Sequence, residues 1–311
     1  AMHYCQGFWG HLNNWRDPIQ LDAAIVLLGH LGRDRDSDAA MLRGWRRFPN
    51  NPDFCCKYAF FLVNRLGPIK AELFAEQHHK LLSAVSDATD YLVLQICLQA
   101  TRKNFVEAKE LFAQARELAP NHTWLDRIEL MLLRDQLLFD EELALAQSLL
   151  ALKPRVSLVL DTARAMVRKQ QSHAAMQLLA QYAPSMQSCR LWAELINVSA
   201  RLMEWSQCEQ AIAGYRQLQT SPDRDDLDLI YSSLGRIALA SGDKSAAIAA
   251  FSATKHPYYR QVEQNISQWQ GDGQLMQLLA VEHERQGHLT CAPATMAALC
   301  RVFGVEASQT S

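Results

Sequence analysis

Pro120 and Pro154 stand 34 residues apart, and each closes an apolar segment of helical spacing. A period of that length constrains the fold strongly. One helix pair cannot bury its own apolar face, so successive pairs must stack and share a continuous core. Ahead of Pro120 stand Ala108, Phe112 and Ala115, at spacings of 12, 8 and 5. The stretch from Thr89 to Pro120 therefore reads as helix, turn at Lys103-Asn104, helix, stop. A second clear unit begins near Cys189, with Trp192, Leu195, Ile196 and Ser199 on one helix face and Cys208, Ile212 and Tyr215 on the next. A third begins near Asp228, with Tyr231, Leu234, Gly235 and Ala238, then Ala247, Phe251 and Thr254. Between its helices lies Ser241-Gly242-Asp243, which supplies a glycine for the turn and an acid for the N-cap.

Composition supports an all-helical reading. Thirteen glycines and 10 prolines in 311 residues fall below the usual ~7% and ~5%, against a β-sandwich or a loop-rich enzyme. Hydrophobic residues make up 49% and charged residues 21%, enough to pack a core and too balanced for general disorder. The formal charge of −2 gives no global field for nucleic acid or an anionic membrane surface. No apolar run reaches the roughly 18 residues of a membrane helix, and the start lacks the regions of a signal peptide. Eight cysteines without even spacing predict buried free thiols in a reducing, cytoplasmic setting.

The three units resemble the tetratricopeptide (TPR) family. Gly235, Ala247, Ala108 and Ala115 supply the small residues that family places where two helices cross, and Phe112, Ile212 and Phe251 the bulky residue on the second helix. The pattern is good at 89–122, 189–222 and 228–261. It is degenerate at 123–184, where Glu142 replaces the expected Ala and Pro184 arrives early. Residues 18–85, with turns at Gly32, Pro49-Asn50-Asn51-Pro52 and Gly67-Pro68, are assigned to the same array. The resemblance implies an all-α, TPR-like α-α superhelix over residues 18–268, after an N-terminal extension of residues 1–17.

It also implies a concave groove lined by the first helix of each pair. In that register Arg190, Asn197, Arg201 and Arg236 face the groove. Guanidinium forks suit carboxylates, so the expected partner is a protein or peptide with an acidic segment or chain terminus. A homodimer is a further possibility.

The tail breaks the rhythm after Trp269. Met296, Leu299, Cys300 and Phe303 share one apolar helix face that ends at Gly304, and Pro293 suits the first helical turn. Cys291 then stands at a helix N-terminus, where the dipole favours a thiolate, and Gln286 could donate to an oxyanion. Gln286, Cys291, Pro293 and Phe303-Gly304 resemble, in that order, the opening of a papain-like cysteine peptidase domain of the bacterial, bacteriocin-processing C39 type. By this resemblance residues 269–311 hold its first strand and nucleophile helix, truncated, with Cys291 as catalytic nucleophile and Gln286 as oxyanion donor. The family's base lies downstream of the Cys, and no His follows Cys291, so no peptidase activity is expected of these 311 residues. Either the chain is the N-terminal, substrate-binding or regulatory part of a longer peptidase, or it is a stand-alone TPR adaptor using its last helix as a cap.

Other features read as structural. His78-His79 are read as helix neighbours on different faces, and His283, His288 and Cys291 lack a fourth ligand, so no metal site and no cofactor are expected. Arg43, Arg46 and Arg47 beside Trp45 read as a solvated helix surface, with no nucleic acid or membrane as partner. Asp223 to Asp228 reads as a loop between pairs.

Overall fold

Helices of 13 to 15 residues are marginal by themselves, so in this chain packing between helices must supply most of their stability. The computed structural model describes residues 17–30, 33–219, 222, 224–269, 296 and 300. Among them there are sixteen helices and no strand. The chain divides into two compact units, Ala1–Gln136 and Leu137–Ser311.

The first unit carries α1 (Pro18–His30), α2 (Asp34–Arg47), α3 (Pro52–Arg65), α4 (Pro68–Gln77), a single turn α5 (His79–Leu82), α6 (Ala88–Thr101), α7 (Phe105–Leu118) and α8 (Thr123–Asp135). Consecutive helices pack as pairs, α1 on α2, α3 on α4 and α6 on α7, while α3, α6 and α8 pack side by side. Val93, Ile96, Ala108, Ala115, Leu125 and Leu132 make one core between the later helices. Leu21, Leu28, Ala40 and Phe54 make another at the start. Gly44 of α2 is required there, because a Cβ on it would lie 2.2 Å from the Phe54 ring.

The second unit carries α9 (Phe139–Leu152), α10 (Val156–Arg168), α11 (Ser172–Met186), α12 (Cys189–Leu202), α13 (Trp205–Leu218), α14 (Arg224–Ala240), α15 (Lys244–Ala253) and α16 (Pro257–Gln268). Its pairs are α10/α11, α12/α13 and α14/α15, and the first helices α10, α12 and α14 pack directly on one another. The fold class is therefore all-α and TPR-like. Gly235 takes one close crossing, its Cβ position 2.4 Å from the Phe251 ring, and Gly214 takes another, its Cβ position 2.6 Å from the Trp192 ring.

One backbone device recurs along the chain. Lys103, Leu137, Gln170, Met203 and Gly242 all have φ near +60° to +80°. At four of these turns the following N–H reaches back five residues: Asn104 to Gln99, Gln171 to Met166, Glu204 to Ser199 and Asp243 to Ala238, each at 2.9 Å. This is the 6→1 bond of a Schellman C-cap, which satisfies a carbonyl the helix end leaves open. Five residues after each turn comes a side chain buried on the second helix, namely Ala108, Glu142, Ala175, Cys208 and Ala247, none more than 3% exposed.

Several expectations are corrected. α14 starts at Arg224, a turn ahead of the expected Asp228. The acids read as a loop therefore sit in its first turns, where Asp225 and Asp226 complement the helix dipole, and Asp228 accepts the Lys255 N–H at 2.9 Å. His78 and His79, expected as neighbours within one helix, are split, since His78 is the junction between α4 and α5 and His79 opens α5. Pro184 does not stop its helix, as α11 runs on to Met186 and ends on Gln187 in the left-handed region. Trp45 lies in an aromatic cluster, stacked on Tyr58 at 5.2 Å and edge-on to Phe74 and His78. Cys55, Cys56, Cys97, Cys189 and Cys208 are buried free thiols. Gly32 and the C-terminal motif lie outside the described residues, apart from Met296 and Cys300.

Candidate functional site

Side chains spaced by three and four residues share one face of a helix. On α12 that spacing puts Arg190, Glu194, Asn197 and Arg201 in a single column, flanked by the buried Leu191, Leu195 and Val198. Arg190, Asn197 and Arg201 are exposed. Glu194 faces α10, where it accepts a hydrogen bond from Arg164 Nη2 at 2.7 Å, and Arg164 is held more firmly protonated by that bond.

Arg236 comes from α14 and is held differently. Its Nη2 donates to the Ala200 carbonyl at 2.7 Å, satisfying an acceptor in the last turn of α12. Its guanidinium also lies 5.7 Å from the centre of the Trp205 ring, a cation–π distance. Part of its donor capacity thus joins two helices. The structure therefore brings Arg190, Asn197 and Arg201 together on α12, with Arg236 tied in at its end. Gln286 and Cys291 lie outside the described residues.

Sequence reasoning missed Arg164 and Glu194, which complete the column from the α10 side. Thirty residues separate them, and no motif marks a pair that forms only when adjacent repeats stack. Chemically, the face carries the guanidinium groups of Arg190 and Arg201 and the amide of Asn197. A second grouping was also missed, in the first unit, where Asp87, Asp90 and His122 each place a ligand atom within 4.8 Å of the others.

Fold and site together define an all-α helical-repeat protein with a basic, exposed first-helix face. No family model and no curated protein matches the chain. Among solved structures it is similar to the Naa15/Naa10 complex bound to HypK-THB, at 15% identity and a TM-score of 0.42, covering 82% of this chain and 40% of that one. It is similar to pilF of Pseudomonas aeruginosa at 14% identity and 0.47, covering 70% and 96%. It is also similar to a tetratricopeptide repeat protein from Parabacteroides merdae at 13% identity and 0.45, covering 80% and 96%.

Proposed function

We propose that the chain is a binding module whose second unit holds an acidic peptide segment or chain terminus against α10, α12 and α14. The observation that carries this reading is the exposed column of Arg190, Asn197 and Arg201 on α12, on helices fixed to one another by packing and by the Arg164–Glu194 and Arg236–Ala200 bonds. Planar guanidinium groups on a rigid face recognise carboxylates by paired hydrogen bonds, and the helices lose little entropy on binding.

Fluorescence anisotropy with a fluorescein-labelled hexaglutamate peptide tests it. Binding should weaken more than about tenfold in Arg190→Glu/Arg201→Glu, and should weaken with added salt as surface charge pairs do. Equal affinity in the double variant overturns the reading. Arg236→Glu is a poorer probe, since it would also remove the bond that ties α14 to the Ala200 carbonyl of α12.

A wider reading adds the flanks. In it residues 1–17 are an extension, the array of 18–268 presents substrate, and residues 269–311 begin a C39-like peptidase domain with Cys291 and Gln286 in the roles given above. Its support is the order of Gln286, Cys291, Pro293 and Phe303-Gly304 in the sequence. Coding sequence after Ser311 with a His and then an Asp or Asn would support it. A stop codon there, or peptide hydrolysis by this chain unaided, would overturn it.

A further inference from the structure

Two turns of the first unit bring together the three residues that α6 and α8 leave at their N-terminal ends. Asp87 is the N-cap of α6, its Oδ1 accepting the Thr89 N–H at 2.8 Å, which leaves the second oxygen of the carboxylate to another ligand. Asp90 follows in the first turn; its N–H bonds the Asp87 carbonyl at 3.1 Å and its own carbonyl accepts the Cys56 thiol at 3.7 Å. His122 closes the short turn ahead of α8, with its N–H on Ala119 and its carbonyl taking the Leu125 N–H. All three backbones are therefore pinned before any ligand arrives.

The side chains are poised in a way their own contacts do not explain. One ligand atom from each lies within 4.8 Å of the other two. His122 Nδ1 is sealed from solvent and has no hydrogen-bond partner, although buried polar atoms are ordinarily satisfied. The nearby charges are already committed: Lys57 pairs with Asp22 at 2.6 Å, and Asp53 accepts both the N–H and the hydroxyl of Ser86.

We propose that Asp87, Asp90 and His122 form a three-ligand site for a divalent first-row transition cation, with Zn²⁺ the best chemical fit, that staples the start of α6 to the turn ahead of α8. Two carboxylates neutralise the ion, and the imidazole selects it over Mg²⁺ and Ca²⁺, which take oxygen alone. Cys56 Sγ donates to the Asp90 carbonyl at 3.7 Å and is not one of the three residues whose ligand atoms meet there. Three protein ligands leave a coordination position for water, and exposed Asp87 gives the ion its way in from solvent. Small side-chain rotations contract the triangle, since tetrahedral ligands about 2.1 Å from zinc lie roughly 3.4 Å apart. The ion binds the folded arrangement and so stabilises it.

The full chain, stripped with chelator, is titrated with Co²⁺ and followed by absorption, then challenged with Zn²⁺. One equivalent of Co²⁺ should give d–d bands without a thiolate charge-transfer band, and Zn²⁺ should displace it and raise the melting temperature by several degrees. Asp90→Asn and His122→Gln should each weaken Co²⁺ binding more than about tenfold while melting like the metal-free wild type. Asp90→Asn is nearly isosteric and decides the matter if His122→Gln unfolds. Four results overturn the site: undiminished binding in Asp90→Asn, a thiolate band, loss of binding in His283→Ala/His288→Ala, or an equal thermal shift from Mg²⁺.

Discussion

Glu142 occupies the slot that the neighbouring repeats give to Ala108, Ala175, Cys208 and Ala247. A carboxylate there is tolerated because Arg168 of α10 takes both of its oxygens, Nε on Oε2 at 3.0 Å and Nη2 on Oε1. The two partners are not equivalent. The Glu142 side chain is 4% exposed and that of Arg168 28%, so only the guanidinium can fall back on water. Arg168→Ala, which strands a buried charge, should cost about 3–5 kcal/mol, and Glu142→Ala, which restores the small residue of the other repeats, about 1 kcal/mol or less. Denaturant unfolding measures both, and equal losses would refute the asymmetry. The thiols give a second residue-scale expectation. Burial pushes Cys55 up to about 11 and Cys97 up to about 12, from 9.0. Above pH 9 the unfolded chain therefore loses thiol protons that the folded chain keeps, so stability falls as pH rises from about 9 toward 11–12 and is unaffected by these groups below that window. At pH 10 the loss is about 1.4 kcal/mol for each such thiol. Cys97→Ala should flatten the alkaline slope in urea titrations, and an unchanged slope counts against a buried neutral thiol there.

The recurring turn decides stability at the level of elements. A left-handed residue other than glycine costs roughly 1–2 kcal/mol, and Lys103, Gln170 and Met203 all bear it, whereas Gly242 does not. Replacing each of the three by Gly should stabilise the chain by about 0.5–1 kcal/mol, the strain relieved less the extra freedom of an unfolded glycine. Thermal melts of the single and triple variants check this, and a lower melting temperature in all three would argue that their side chains hold the turns by contacts. Gly235→Ala runs the other way. Its helix-propensity gain of about 1 kcal/mol meets a Cβ 2.4 Å from the fully buried Phe251 ring, and overpacking of about 1–3 kcal/mol should leave a net loss in the same melts. These elements also show what the sequence could convey. Pro120, Pro154 and Ser241-Gly242-Asp243 announced helix ends because their local chemistry forbids or caps helix. The turns at Gln170 and Met203 carry no such mark, since neither residue type favours a left-handed backbone and it is the Schellman backbone bonds that close these turns. From the sequence α14 reads a turn short because Asp225 and Asp226 are loop formers in isolation and dipole partners at a helix start. In the candidate site, the column on α12 followed from the period of one helix. The Arg164–Glu194 pair and the Asp87, Asp90 and His122 grouping did not, since each joins residues thirty or more apart that only stacking brings together.

A repeat protein distributes its stability through contacts between neighbouring helices, so an injury should stay near its place in the chain. Phe54 tests this for the molecule as a whole. Its ring packs against Gly44 and Leu21 within the first unit, and Phe54→Ala should cost about 3–5 kcal/mol locally. Hydrogen exchange followed by mass spectrometry should show lost protection in α1, α2 and α3. It should show α12 to α15 protected as in the wild type, with the hexaglutamate affinity unchanged. That outcome separates the array from an ordinary globular core, in which a cavity of this cost lowers protection throughout the cooperative unit. Parallel loss of protection in α12 to α15 would mean that the chain unfolds as one body. The basic face of α12 would then depend on packing far from it in sequence, and substitutions in the first unit would change binding as strongly as Arg190→Glu.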